Sequence, residues 1–119
     1  MNNSLDSRER AQTAAAQAAS QKAAVRADAE RALGAAAATL AEARARLKAA
    51  QAIGAPARQL TAARRGIAAG DQAVQEARAA FERGSFRSVP QALNEPLKRL
   101  AAASHDLEAA SRPAARRSR

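Results

Sequence analysis

Twelve of the sixteen Leu, Ile, Val and Phe residues in this chain fall on three ladders with a spacing of seven: Leu33, Leu40 and Leu47; Ile53, Leu60, Ile67, Val74 and Phe81; Phe86, Leu93, Leu100 and Leu107. Seven residues are close to two helical turns, so each ladder draws a narrow stripe along one helix face, as helices that pack along their length require. Three residues beyond the rungs of the first two ladders the side chains are mostly small: Ala36, Ala43 and Ala50, then Ala63, Gly70 and Ala77. A large residue facing a small one brings helix backbones toward the lower end of the usual ~8–10 Å interaxial range. The pattern predicts an all-α fold, an antiparallel three-helix bundle or coiled-coil-like arrangement. Its expected core is Leu33, Leu40, Leu47, Leu60, Ile67, Val74, Phe81, Leu93, Leu100 and Leu107.

Punctuation along the chain sets the helix limits. Ser4 or Asp6 is placed to cap a first helix starting near Leu5, and Gly54-Ala55-Pro56 is the first stop signal after it,. Gly34 lies inside this stretch, but one glycine costs only about 1 kcal/mol relative to alanine and does not end a helix alone. A second helix is expected over 57–83, continuous through Gly66 and Gly70 because Leu60, Ile67, Val74 and Phe81 keep one phase across both glycines,. Gly84-Ser85 closes it. Ser88-Val89-Pro90-Gln91 reads as a capping box with proline in the first turn, opening a third helix that bends near Asn94 ahead of Pro96 and ends near Ser111,. Three regions follow: an Ala-rich helical arm at 1–32, a bundle at 33–111, and a basic disordered tail at 112–119.

The arm is set apart by what it lacks. Residues 6–32 contain Val25 as their only large apolar side chain, so this half of the first helix has too little to bury alone and is expected either to fray or to order against a partner. The same scarcity runs through the whole chain. Alanine, with 39 copies, holds helices without side-chain entropy cost, yet burying its methyl yields only about 0.8 kcal/mol against ~3 kcal/mol for a large side chain. A monomer is expected to be marginal, and self-association is the natural remedy.

The net charge of +9 is unevenly placed, since Arg112, Arg116, Arg117 and Arg119 contribute four positive charges with no acid among residues 112–119. Arginine outnumbers lysine 17 to 3, which fits either phosphate recognition through guanidinium forks or codon bias in a GC-rich genome. With no cysteine, disulfides, thiolate nucleophiles and cysteine-ligated metals are excluded,. The first thirty residues show no apolar signal-peptide core, and no run of 18 apolar residues exists to cross a membrane,. The expected location is cytoplasmic.

Catalytic chemistry finds little footing. Ser104, His105 and Asp106 are adjacent, but successive helix positions point about 100° apart and cannot converge as a hydrolytic triad. The carboxylates interleave with arginines, as in Glu42 with Arg46 or Asp28 and Glu30 between Arg26 and Arg31, and read as solvated ion pairs,. No phosphate-binding loop or dinucleotide fingerprint appears. No enzyme, metal or cofactor is therefore expected. The Pro-Leu-basic-basic-Leu run Pro96-Leu97-Lys98-Arg99-Leu100, after Glu95 and followed by Leu107, resembles the first helix of the HAMP linkers of bacterial receptors. That module also needs a transmembrane helix before the motif and a second helix behind a connector, so the likeness is one of packing chemistry and transfers no function.

Two functional classes remain. The first is a protein–protein interaction or scaffolding module whose partner is a second copy or another helical protein, with the Ala stripe of residues 11–32 as its surface. The alternative is a small basic protein associated with nucleic acid, contacting phosphates non-specifically through Arg64, Arg65, Arg83, Arg87, Arg112, Arg116, Arg117 and Arg119,. Trp and Tyr are absent and Phe81 and Phe86 lie on the ladders, so stacking platforms for single strands are missing from that alternative.

Overall fold

The computed structural model describes residues 2–110, with side chains from residue 6 onward; the 112–119 tail, with its four arginines, lies outside the described residues. The fold is all-α, and no strand occurs among the described residues. Helix α1 spans Asn2–Ala52, α2 spans Ala57–Glu82 and α3 spans Ser88–Ala110, and all three pack on one another. The molecule is a rod of 85 × 28 × 16 Å, because α1, with 51 residues, is ~75 Å long and outruns its partners.

Both tight turns end their helices in the same way. After α1, Gly54 adopts φ 73° while its N–H donates to the Gln51 carbonyl and the Ala55 N–H donates to the Ala50 carbonyl. After α2, Gly84 adopts φ 84°, its N–H donates to Phe81 and the Ser85 N–H to Ala80. These are Schellman closures, in which a left-handed residue satisfies the last helical carbonyls and only glycine takes that backbone without strain. The Pro56 carbonyl then accepts from the N–H groups of Gln59 and Leu60 and starts α2.

Helix α1 begins at Asn2, earlier than the expected start near Leu5. The capping box expected at Ser88 is replaced by a tighter turn: the Ser88 hydroxyl and N–H both donate back to the Ser85 carbonyl, at 2.7 and 3.2 Å. Helix α3 runs unbroken through Pro96, although proline brings no N–H to the Ala92 carbonyl. Leu93, Leu100 and Leu107 on the same helix are almost wholly buried, and their packing offsets the ~3 kcal/mol that an interior proline costs.

The core is a stack of three layers. Nearest the α2–α3 turn, Ala29, Ala36, Val74, Ala77, Val89 and Leu93 are buried with Leu33, Phe81 and Phe86 packed around them. Leu40, Ala43, Ile67 and Leu100 form the middle, and Ala50, Ala63 and Leu107 the end beside the α1–α2 turn. Every small residue facing the first two ladders is buried, Gly70 included. Of the expected large core residues, Leu40, Ile67, Val74, Leu93, Leu100 and Leu107 are buried, whereas Leu33, Leu47, Leu60 and Phe81 are only half-buried. Three slender helices enclose the small side chains completely but leave part of Leu33, Leu47, Leu60 and Phe81 at the surface. Ile53 departs furthest from its ladder: it closes α1 instead of opening α2, and is 52% exposed.

Candidate association surface

The stripe by which α1 contacts the other two helices can be followed past the end of the bundle. Ala50, Ala43, Ala36 and Ala29 recur every seven residues and are all buried. Continued in phase, that line meets Lys22 and Ala15, and the interleaved line through Ala32 and Val25 meets Ala18 and Ala11. Val25 and Ala32 are half-buried, Ala29 is fully buried although it precedes residue 33, and residues 6–24 are exposed. Ala29 and Ala32 are thus used within the chain, and the free part of the 11–32 stripe is Ala11, Ala15 and Ala18, broken by Lys22.

The border between covered and free α1 is the α2–α3 turn. Phe81 and Phe86 flank that turn with ring centroids 4.9 Å apart and planes at 57°. Arg26 stands seven residues before Leu33, where the leucine ladder would place its next rung, and its guanidinium lies 5.6 and 5.7 Å from the two ring centroids. A cation over an aromatic face contributes ~0.5–1 kcal/mol at an exposed site, so Arg26 ties the turn to α1. Its Nε also donates to Glu30 at 3.3 Å. Just beyond, a cleft of about 460 Å³ opens between the arm and the turn, lined by Ala18, Lys22, Val25, Ser85, Phe86 and Arg87 among others.

Ion pairs add registration between helices. Arg44 of α1 reaches Asp71 of α2 at 3.2 Å, and Arg46 of α1 bridges Glu42 at 3.1 Å and Glu108 of α3 at 3.3 Å. The pairs within α1 anticipated from spacing are present: Arg26–Glu30 at 3.3 Å, Arg31–Asp28, and Arg46–Glu42. Such exposed pairs are worth ~0–1 kcal/mol each. The two interhelical bridges had no signal in the sequence, because they depend on which faces meet.

The arginines considered for phosphate contact do not gather in one place. Arg83 and Arg87 sit exposed around the α2–α3 turn, with Arg87 on the same cleft as Lys22. Arg64 and Arg65 are exposed on α2, ~28 Å away along the helix. Arg112, Arg116, Arg117 and Arg119 lie outside the described residues.

Ser104 is buried at 7% exposure while His105 and Asp106 are exposed, so the three side chains diverge. Among the described residues, no cluster of His, Asp and Glu is arranged to hold a metal, and no helix is long and apolar enough to cross a membrane. Comparison with protein-family models, curated proteins and solved structures finds no match to this chain.

Proposed function

We propose that this chain is a non-enzymatic helical interaction or scaffolding module that associates with itself or with another helical protein. The observation that carries the reading is the phase of α1: the stripe buried from Ala29 to Ala50, and the line beside it through Ala32 and Val25, extend past the bundle to Ala18, Ala15 and Ala11, interrupted by Lys22, where α1 is exposed. A helix so poor in large side chains gains little from solvent and is stabilised by packing. Small residues on a continuous stripe suit close approach by another helix. Sedimentation across a concentration series, at low and at moderate salt, tests the reading. Assembly that grows with concentration and persists as salt rises supports it; a monomer throughout, with no helical partner bound, rejects it.

A second reading draws on the basic residues around the α2–α3 turn, where Lys22 and Arg87 line one cleft and Arg83 lies nearby. In that reading the protein associates with nucleic acid through phosphates. Binding of labelled DNA or RNA should then weaken steeply with salt, and removing residues 112–119 should lower affinity and flatten that dependence. No binding by the full chain at low salt eliminates it.

A further inference from the structure

We infer that two copies of the chain exchange arms reciprocally, the exposed N-terminal arm of each lying in the groove between α2 and α3 of the other. This rests on the self-association reading and names the surface that meets the arm. Helices α2 and α3 form a hairpin with one side against α1. On their seam is a groove of about 650 Å³ lined by Ala62, Gly66, Ala102, Ala103 and Ala109 among others. Gly66, Ala73, Pro96 and Ala103 are half-buried, so the intramolecular fold leaves them only partly covered.

Gly66 lowers the floor of this groove. A Cβ at Gly70 would collide with Leu100, so packing within the chain accounts for that glycine. A Cβ at Gly66 would meet only Ala103 Cβ, at an ordinary 3.7 Å. The chain's own packing therefore does not require bare backbone at 66, and the absence of a side chain there leaves room for the arm to approach closely in the exchanged dimer.

Lengths and symmetry agree. The arm over 2–24 is ~35 Å long, the same as the 23 residues of α3,. The arm presents the side that α1 turns toward its own hairpin, but beyond the hairpin's tip. An antiparallel second copy therefore places its hairpin against this arm and receives the arm on its seam. The two hairpins then stand tip to tip between two long outer helices, under a closed two-fold operator. In this arrangement the cleft beside each α2–α3 turn is where the partner's turn arrives.

An arm lying along the whole of α3, ~35 Å by ~10 Å, made twice and counted on both partners, buries ~1,400 Å², within the range of specific stable interfaces; the groove, lined from Gln59 to Gly66 and from Arg99 to Ala110, takes the half of that length farther from the α2–α3 turn. The arm's tip carries both signs, Asp6 and Glu9 with Arg8 and Arg10. The antiparallel orientation brings that tip toward the end of the groove holding Asp106, with Arg99 further along.

The test uses the full chain, which has no cysteine. Copies carrying Ala11→Cys are mixed with copies carrying Ala103→Cys and joined by a short bismaleimide, while the dissociation constant of the parent assembly is compared with that of Ala15→Lys. Residue 15 is exposed in the single chain, so this variant keeps its helicity. Arm exchange predicts a dimer, cross-links between unlike copies, and at least tenfold weaker association for Ala15→Lys. A dimer whose links join Ala11→Cys copies to each other, or one indifferent to Ala15→Lys, overturns arm exchange and leaves self-association standing. A monomer at every concentration overturns self-association and the exchange with it.

Discussion

An alanine at position 70 would place its Cβ 2.6 Å from Leu100 Cδ1 and 2.8 Å from Leu100 Cγ. Leu100 is 1% exposed and has no open side to move toward, so the middle layer must shift to admit one methyl group. Overpacking of this kind costs ~1–3 kcal/mol, offset by the ~1 kcal/mol that alanine gains over glycine in a helix. Gly70→Ala is expected to lower the melting temperature. A Cβ at Gly34 would have nothing within 4 Å, so Gly34→Ala should raise stability by ~1 kcal/mol. Thermal melts of the two variants should therefore move in opposite directions, and equal shifts would mean that Leu100 does not pack on Gly70. Ser104 offers a second case. Its hydroxyl is buried without a hydrogen-bond partner, and Ser104→Ala removes the desolvation cost while improving helix propensity, for a gain of ~1–2 kcal/mol. A loss on chemical denaturation would show that the hydroxyl is satisfied in solution.

Among the elements, α1 differs from one end to the other, and hydrogen exchange should reveal it. Amides of residues 6–24 belong to a stretch of α1 with no buried side chain, whereas those near Ala36, Leu40 and Ala43 lie against α2 and α3. In a dilute monomer the first group should exchange at least tenfold faster than the second, because few contacts oppose local opening. Equal protection in a verified monomer would place the arm inside an intramolecular core. Much of this architecture was legible beforehand. The ladder phase placed α2 across its glycines, Gly54 and Gly84 marked both Schellman closures, and the small residues facing the ladders came out buried. What stayed hidden depended on which faces meet. Val89 is fully buried yet lies off every ladder, and Ser88 turned to Ser85 because the turn tightened. Arg26 found its place only once Phe81 and Phe86 had been brought under it. At the candidate surface the exposed arm could be read from composition, whereas the groove between α2 and α3 required helices from distant parts of the chain to be assembled.

For the molecule as a whole, the thin core and the long rod have one thermodynamic consequence. Many of the buried positions are alanine, each contributing about 0.8 kcal/mol per methyl, so a single chain is expected to retain little margin against the entropy of ordering its three helices. Anything that binds the folded chain and not the unfolded one adds stability by mass action. If arms pair between copies, each tenfold rise in concentration should lift the melting temperature by about 2–5 °C for a chain of this size. Ala15→Lys, which leaves the single chain's contacts untouched, should flatten that dependence while keeping the low-concentration melting temperature. Differential scanning calorimetry or circular dichroism over two decades of concentration decides the matter. A melting temperature independent of concentration in the parent protein would mean that the three helices hold without a second copy, and that the in-phase alanines of the arm await a different helix.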